Sequence, residues 1–305
     1  MSKIIVIGLS GESIFLTVDH FNKLGETVKA SSLYTEIGGK GYNQAAAINK
    51  IYDDVHFITF AGNDLYKEKV INSLKNINLK NTVIVKKKEN TALATIITDK
   101  NGENNVTVYR GVNDVISFDD FKDELDRNIS DCEYILIQME MPLETVESII
   151  SYANSKNIKV ILNPAPALKL KDKILKDVFL LTPNELEAKI IFGLDEKALI
   201  SEVIKEAENK NIKNMIITLG SNGALIYQSS KVKSVEAITV KAVDTTGAGD
   251  TFNGALTVKL ANGSDFYESA KYASVAAGIS VTRKGVICAL PSKEEIEKVI
   301  KNGKI

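Results

Sequence analysis

Apolar runs and helical patterns alternate along the chain. The strand-like runs are Ile4–Leu9, Val55–Phe60, Tyr134–Gln138, Lys159–Leu162, Val178–Leu181, Asn214–Leu219 and Ala224–Tyr227. Several are apolar at consecutive positions, which predicts strands buried on both faces of a parallel sheet. Helical stretches stand between them: Tyr42–Ile51, Asp64–Lys75, Leu143–Ser155, Glu185–Phe192, Lys197–Asn209, Asp250–Leu260 and Ser264–Val281. Such alternation predicts an α/β fold with a doubly wound, mostly parallel sheet. Ligands of such sheets bind beyond the carboxyl ends of the strands.

Two segments break the pattern. Thr91–Thr98 and Asn105–Arg110 form a predicted hairpin around Asp99-Lys100-Asn101-Gly102, and Thr17–Thr35 is strand-like and polar. Together they predict a small β-sheet flap over the pocket; a decorative edge hairpin is the alternative. No repeat, low-complexity tract or long linker interrupts the sequence. One domain over residues 1–305 is expected, with lid strands inserted from about 11–36 and 91–112.

Composition narrows the function. The chain is 44% hydrophobic and 25% charged, an ordinary globular balance. Its net charge of −1 provides no electrostatic footprint for nucleic acid or an anionic membrane. Cys132 and Cys288 match no metal spacing and read as thiols of a reducing compartment. With only His20 and His56 present, a His-centred triad or zinc site is disfavoured. The N-terminus is too strand-like for a signal peptide, no run reaches membrane-span length, and a cytoplasmic location is the default expectation.

The most informative run is Val243-Asp244-Thr245-Thr246-Gly247-Ala248-Gly249-Asp250-Thr251-Phe252-Asn253-Gly254. A β-branched approach leads through small residues into a helix. Gly247 and Gly249 are expected to take positive φ and admit a ligand closely. Unpaired N–H groups and the dipole at the helix start favour an anion. Asp250 would face that anion, where a carboxylate suits proton removal from an attacking hydroxyl. A plain capped helix start is the alternative. Neither Gly-x-Gly-x-x-Gly nor the Walker A pattern is present, because Phe252 stands where a third glycine would be.

Further motifs fall at element ends. Gly38-Gly39-Lys40-Gly41-Tyr42-Asn43-Gln44 opens an Ala-rich helix, with Lys40 and Asn43 as donors. Glu140 follows a buried strand and can accept from a sugar hydroxyl, or be a solvated acid or a cap before the helix at Leu143. Asn163-Pro164-Ala165-Pro166 ends another strand, Asn163 being a polar site residue or plain turn chemistry. Asn184 and Glu187 share a face at a helix start, suited to Mg²⁺ and phosphate or to plain capping. Thr218-Leu219-Gly220-Ser221-Asn222-Gly223 would suit a nucleobase or ribose, or be a hairpin turn.

In this order the motifs resemble the ribokinase-like (PfkB) family of sugar and nucleoside kinases, over essentially the whole chain. The resemblance carries Gly38-Gly39-Lys40-Gly41, Met139-Glu140-Met141-Pro142, Leu162-Asn163-Pro164-Ala165-Pro166, Thr182-Pro183-Asn184-Glu185, Asp244 to Phe252, and Ser280-Val281-Thr282-Arg283-Lys284-Gly285. It implies an α/β/α sandwich with a β-sheet lid that also serves homodimer contacts. It implies ATP-dependent phosphorylation of a primary sugar hydroxyl, ribose being the leading acceptor. Asp250 then resembles the catalytic base, and the amides of Gly247, Ala248 and Gly249 the anion hole. Asn184, Glu187, Thr218, Gly220, Gly249 and Ser274 correspond to ATP-binding positions, Glu187 reaching Mg²⁺ through water; Ser274 replaces a common Asn. Asp244 and Thr246, with carbonyls near Val281 and Gly285, resemble a monovalent-cation (K⁺) site. Gly39, Lys40, Asn43, Glu140 and Asp250 match the sugar side. Gly11 and Ser13 depart from it, standing where the family carries a hydroxyl-binding Asn and Asp. Each lost charge-assisted bond is worth roughly 1.5–3 kcal/mol. Glu12 could compensate if the loop shifts by one residue. A nucleoside kinase using Phe15, Tyr34 or Tyr109 as a base shelf is the second reading, and a non-catalytic sugar or nucleotide sensor the third.

Overall fold

A computed structural model describes residues 3–303. In chain order the strands are β1 (Lys3–Ile7), β2 (Gly11–Thr17), β3 (Ser32–Gly38), β4 (Val55–Gly62), β5 (Asn81–Lys86), β6 (Ala92–Thr98), β7 (Asn104–Tyr109), β8 (Cys132–Gln138), β9 (Lys159–Asn163), β10 (Leu180–Leu181), β11 (Asn214–Thr218), β12 (Ala224–Gln228) and β13 (Lys231–Val235). The helices are α1 (Lys40–Asn49), α2 (Leu65–Asn76), α3 (Lys122–Asn128), α4 (Leu143–Ser155), α5 (Asp172–Asp177), α6 (Glu185–Phe192), α7 (Ile200–Asn209), α8 (Ala248–Ala261), α9 (Phe266–Ser280) and α10 (Lys293–Asn302).

Nine strands form one sheet in the order β13-β12-β11-β10-β9-β8-β1-β4-β5. Neighbours run parallel from β5 through β11, and β12 and β13 add an antiparallel edge. Alternation along β1 explains the three layers. Ile4 and Val6 belong to the core layer that holds side chains of α1, α8 and α9, whereas Ile5 and Ile7 belong to the opposite layer, with those of α4, α6 and α7. A strand covered on both faces gives the continuous apolar runs of the sequence. The edges escape that pattern: β13 is exposed except at Val235, and β5 is only half-buried. The Val178–Leu181 run contracts to the two residues of β10. Helix α10 also lies outside the apolar pattern, although its Ser292–Glu295 capping box is visible in the sequence.

A second sheet has the order β3-β2-β6-β7. It is built from the segments expected to form the flap, with one correction. Thr17–Thr35 is not a continuous strand: β2 ends at Thr17, β3 begins at Ser32, and residues 18–31 connect them irregularly. Only the flanks find partners, β2 between β3 and β6. Among the described residues no helix is long and apolar enough to cross a membrane. Cys132 and Cys288 are free thiols; burial pushes the Cys132 thiol up to about 12.

Candidate active site

The site begins where α8 starts. Gly247 caps the helix with φ 74°, and a Cβ there would lie 2.6 Å from Val286 Cγ1. Backbone sign and space both demand glycine. The expectation of positive φ at Gly249 is corrected: this residue lies inside α8 with a helical backbone, and it is absent from the left-handed glycines. It faces open space, where a Cβ would meet no heavy atom within 4 Å. The Ala248 amide donates to the Thr245 carbonyl at 3.2 Å, so the turn already engages it. The amides of Gly247 and Gly249 have no partner among the described residues, and they join the positive end of the α8 dipole.

Asp250 follows in the first turn of α8 and is 7% exposed. Asn43 Nδ2 donates to its Oδ2 and Gln44 Nε2 to its Oδ1, each at 2.9 Å. Both carboxylate oxygens are therefore held by neutral donors from α1. Asn43 Oδ1 is buried without a partner.

Helix α1 starts at a second glycine turn. Gly39 has φ 104°, and a Cβ there would lie 2.4 Å from Leu9 Cδ2. The next residue, Lys40, donates its main-chain amide to Glu140 Oε2 at 2.8 Å. Burial alone would lower Lys40, but the carboxylates of Asp250, Glu140 and Glu187 outweigh it and hold the ammonium above its ordinary value. Burial raises Glu140 to about 7 against the pull of Lys40, and raises Glu187 for the same reason. The fold thus gathers three carboxylates, from the loop after β8, from α6 and from α8, around one lysine. That grouping is missed by reading each motif separately.

Asn184 and Glu187 form a reciprocal capping box on α6: Glu187 N donates to Asn184 Oδ1 and Asn184 N to Glu187 Oε2, both at 2.8 Å. Asn184 also bridges to Thr218 at the end of β11.

On the lid, Gly11 presses against β6; a Cβ there would lie 2.4 Å from the Ala92 carbonyl oxygen. Position 11 therefore presents backbone only. Ser13 is buried, and its Oγ would lie 2.8 Å from a Cβ on Gly38. Glu12 points to the opposite face by strand alternation and accepts from Lys69 Nζ of α2 at 2.5 Å. The structure rules out Glu12 as a stand-in for the missing Asp. Phe15 and Tyr34 stack at 4.4 Å between centroids on the Ser13 face. Tyr109 pairs with Leu93, which shares the Glu12 face, so the three aromatics do not form one shelf.

A cavity of about 370 Å³ opens on the other side of the α8 start. Thr218, Gly220, Gly249 and Ser274 line it, as do Ile238, Val240 and Phe252. Asn184 and Glu187 are outside its lining. The wall at Ala237–Ala242 is lined by apolar side chains and Thr239, so the sequence offered only its alternation of small and β-branched residues as a signal. Below the turn, Asp244 accepts from Thr246 N at 2.9 Å and from Gly285 N at 3.1 Å. Val243 N and Asp244 N donate to the Val281 carbonyl at 2.7 and 3.2 Å. Burial works against the Asp244 carboxylate, but the bonds from Thr246 and Gly285 prevail and hold it below its ordinary value. Asp244, Thr246, Val281 and Gly285 therefore do meet.

A nucleotide-sized cavity, free helix-terminal amides and a fixed carboxylate on the far side of those amides define a small-molecule kinase of the α/β/α type. Residues 1–293 match the pfkB family carbohydrate kinase, and the chain belongs to that family. It is 35% identical to a ribokinase of Bacillus subtilis (strain 168) over 300 residues, covering 98% of this chain and 100% of the relative. It is 33% identical to a deoxyribokinase of Salmonella typhi over 304 residues, covering 97% and 98%. The solved ribokinase structure from Thermotoga maritima superimposes with a TM-score of 0.87 at 34% identity, covering 99% of this chain and 100% of that one. The protein is an ATP-dependent carbohydrate kinase.

Proposed function

We propose that the chain transfers the γ-phosphoryl group of ATP to a primary hydroxyl of ribose or a closely related sugar. The observation that carries this reading is Asp250, fixed by Asn43 and Gln44 one residue beyond the cavity-lining Gly249. ATP occupies the cavity with its γ-phosphate at the free amides of Gly247 and Gly249. The acceptor lies on the α1 side against Gly39, Lys40, Asn43, Glu140 and Ser13. Its hydroxyl proton passes to the Asp250 carboxylate as the new oxygen–phosphorus bond forms. The bond from the γ-phosphorus to the bridging oxygen breaks, and ADP leaves. The orphaned Asn43 Oδ1 supports this placement, because a sugar hydroxyl would satisfy it.

Two cations fit the donors present. Glu187 keeps Oε1 outside its capping bond, is near enough to Lys40 and Asp250 to feel both charges, and can hold a water of Mg²⁺. Asp244, Thr246 and the Val281 and Gly285 carbonyls offer the oxygen donors for a monovalent cation such as K⁺. When bound, Mg²⁺ would offset phosphate charge and the alkali ion would brace the turn that precedes α8. The lid exposes Tyr34, Val106 and Val108, an apolar surface that supports a homodimer formed through it. A cytoplasmic location accords with the free thiols.

A screen of ADP release across pentoses, hexoses and nucleosides tests the assignment. Ribose or deoxyribose should lead; activity confined to nucleosides would replace it with the nucleoside reading, which the Phe15–Tyr34 stack favours. Sugar binding without ADP formation at any Mg²⁺ level would leave a sensor.

A further inference from the structure

Helix α1 carries Gln44 into the interior, where it is fully buried. Its Nε2 donates to Asp250 Oδ1 and to Asn163 Oδ1, each at 2.9 Å, and its Oε1 accepts from Gln138 Nε2 at 2.6 Å. Both hydrogens of the Gln44 amide are used. Turning that amide over would set its oxygen against a carboxylate oxygen. Turning Gln138 over would set two amide oxygens face to face. The direction of the chain is therefore fixed: Gln138 gives to Gln44, and Gln44 gives to Asp250.

The backbone is shaped to admit this chain. A Cβ on Gly8 would lie 2.2 Å from Gln138 Oε1, one on Gly41 would lie 2.6 Å from the Gly8 carbonyl carbon, and one on Gly254 would lie 2.7 Å from Ala47 Cβ. Helix α1 can thus settle on β1 and α8 closely enough for Gln44 to reach both sides. The network then returns to its origin. Asn163 Nδ2 donates to the Thr182 carbonyl at 3.1 Å, Thr182 Oγ1 to Asn253 Oδ1 at 2.5 Å, and Asn253 Nδ2 to the Gly249 carbonyl at 2.8 Å. It begins and ends in the first turn of α8. Gln138 Oε1 remains buried without a partner. An unpaired buried acceptor is costly, but an apolar side chain at 138 would remove it only by leaving Gln44 Oε1 without its donor. The two amides therefore stand or fall together.

We propose that Gln44 is a positioning residue for phosphoryl transfer, holding the Asp250 carboxylate in one orientation toward the acceptor hydroxyl, while Gln138 sets the direction of the Gln44 amide. This rests on the reading of Asp250 as the base. Without Gln44, one carboxylate oxygen loses its donor and the group can rotate away from the hydroxyl. The charged side chains around Asp250 are Lys40 from α1, Glu140 from the end of β8 and Glu187 from α6; none replaces the lost donor on Oδ1.

The test uses the full chain, ATP with Mg²⁺, and the best acceptor from the ADP-release screen. Gln44→Met should lower kcat about 10- to 100-fold, as expected for a misplaced reacting group, with the KM for ATP within roughly twofold. Gln44→Glu, which keeps the shape and loses the donor, should lower kcat at least as far, and Gln138→Met should lower it less, again with the KM for ATP held. A folded Gln44→Met with parental kcat overturns the proposal, as does a loss of kcat matched by an equal rise in the KM for ATP. If Gln44→Met does not fold, Gln138→Met decides: parental kcat there overturns it equally. Asp250→Asn separates the two claims. Near-normal turnover in Asp250→Asn removes the base itself, whereas an inactive Asp250→Asn beside an unaffected Gln44→Met removes only the positioning role.

Discussion

The main-chain amide of Lys40 donates to Glu140 Oε2 at 2.8 Å, tying the first residue of α1 to the loop that leaves β8. The glycine turn and the acid that read separately in the sequence are one unit. Burial raises the Glu140 carboxyl to about 7, from an ordinary 4.5. A raised carboxyl binds its proton more tightly in the folded chain than in the unfolded one. Its stabilising contribution is whole below about pH 4.5 and is lost as the pH rises through about 7. Glu140→Gln is neutral throughout and lacks that fall. The melting temperature of the variant relative to the parent should therefore rise on going from acid to mildly alkaline buffer. A difference that stays constant with pH would contradict the burial argument. Above about pH 7, where the parent carboxyl is ionised, the same variant should raise the sugar KM roughly tenfold, by loss of a charged hydrogen-bond acceptor.

The two glycines flanking Ala248 should separate stability from chemistry. At Gly247 a methyl group meets both an unfavourable φ and Val286, so Gly247→Ala should cost on the order of 1–3 kcal/mol in urea unfolding. At Gly249 the backbone is helical and the space is open. Gly249→Ala should keep or raise stability, by up to about 1 kcal/mol. It should still depress turnover, because the methyl group projects into the space reserved for the phosphates. Equal destabilisation by both substitutions would mean that the turn is not divided in this way.

Much of this was legible because parallel strands are covered on both faces. Ile4–Ile7 and Ile135–Ile137 give apolar runs that survive without knowledge of their neighbours. Edge strands such as Lys231–Val235 lose one covering layer and with it the signal. The lid was readable as β but not in its extent, since pairing across β2, β3 and β6 decides where a strand stops. At the site, the motifs named the residues, yet the pairings remained hidden. Gln44 and Asp250 are 206 positions apart, and neither periodicity nor local spacing links them. Local chemistry also has two uses: Asn184 and Glu187 make a capping box, and the sequence could not say whether they do more.

The exposed lid side chains make a prediction about assembly. Val106 and Val108 lie on one face of β7 and are about half exposed. Sedimentation equilibrium should give a dimer for the parent chain and a monomer for Val106→Glu combined with Val108→Glu, while melting changes little, because neither side chain enters the main core. A monomeric parent at micromolar concentration would remove the lid interface.

The cation site permits a test independent of the sugar. Asp244 sits on the segment that enters the Gly247 turn, and its carboxylate already holds the Thr246 and Gly285 amides. An alkali ion bound among these oxygens would brace the turn from below and so steady the amides that face the γ-phosphate. K⁺ should therefore raise kcat over Na⁺ at equal ionic strength. Asp244→Ala removes the one charged donor and should abolish the difference between the two salts. It should also lower kcat in both, because the bonds to Thr246 and Gly285 are lost with the carboxylate. Comparing the K⁺/Na⁺ rate ratio, rather than the rates, isolates the ion from that structural loss. A ratio near one in the parent chain, or a parental ratio retained in Asp244→Ala, would remove the cation from the account while leaving Asp250 and the α8 amides untouched.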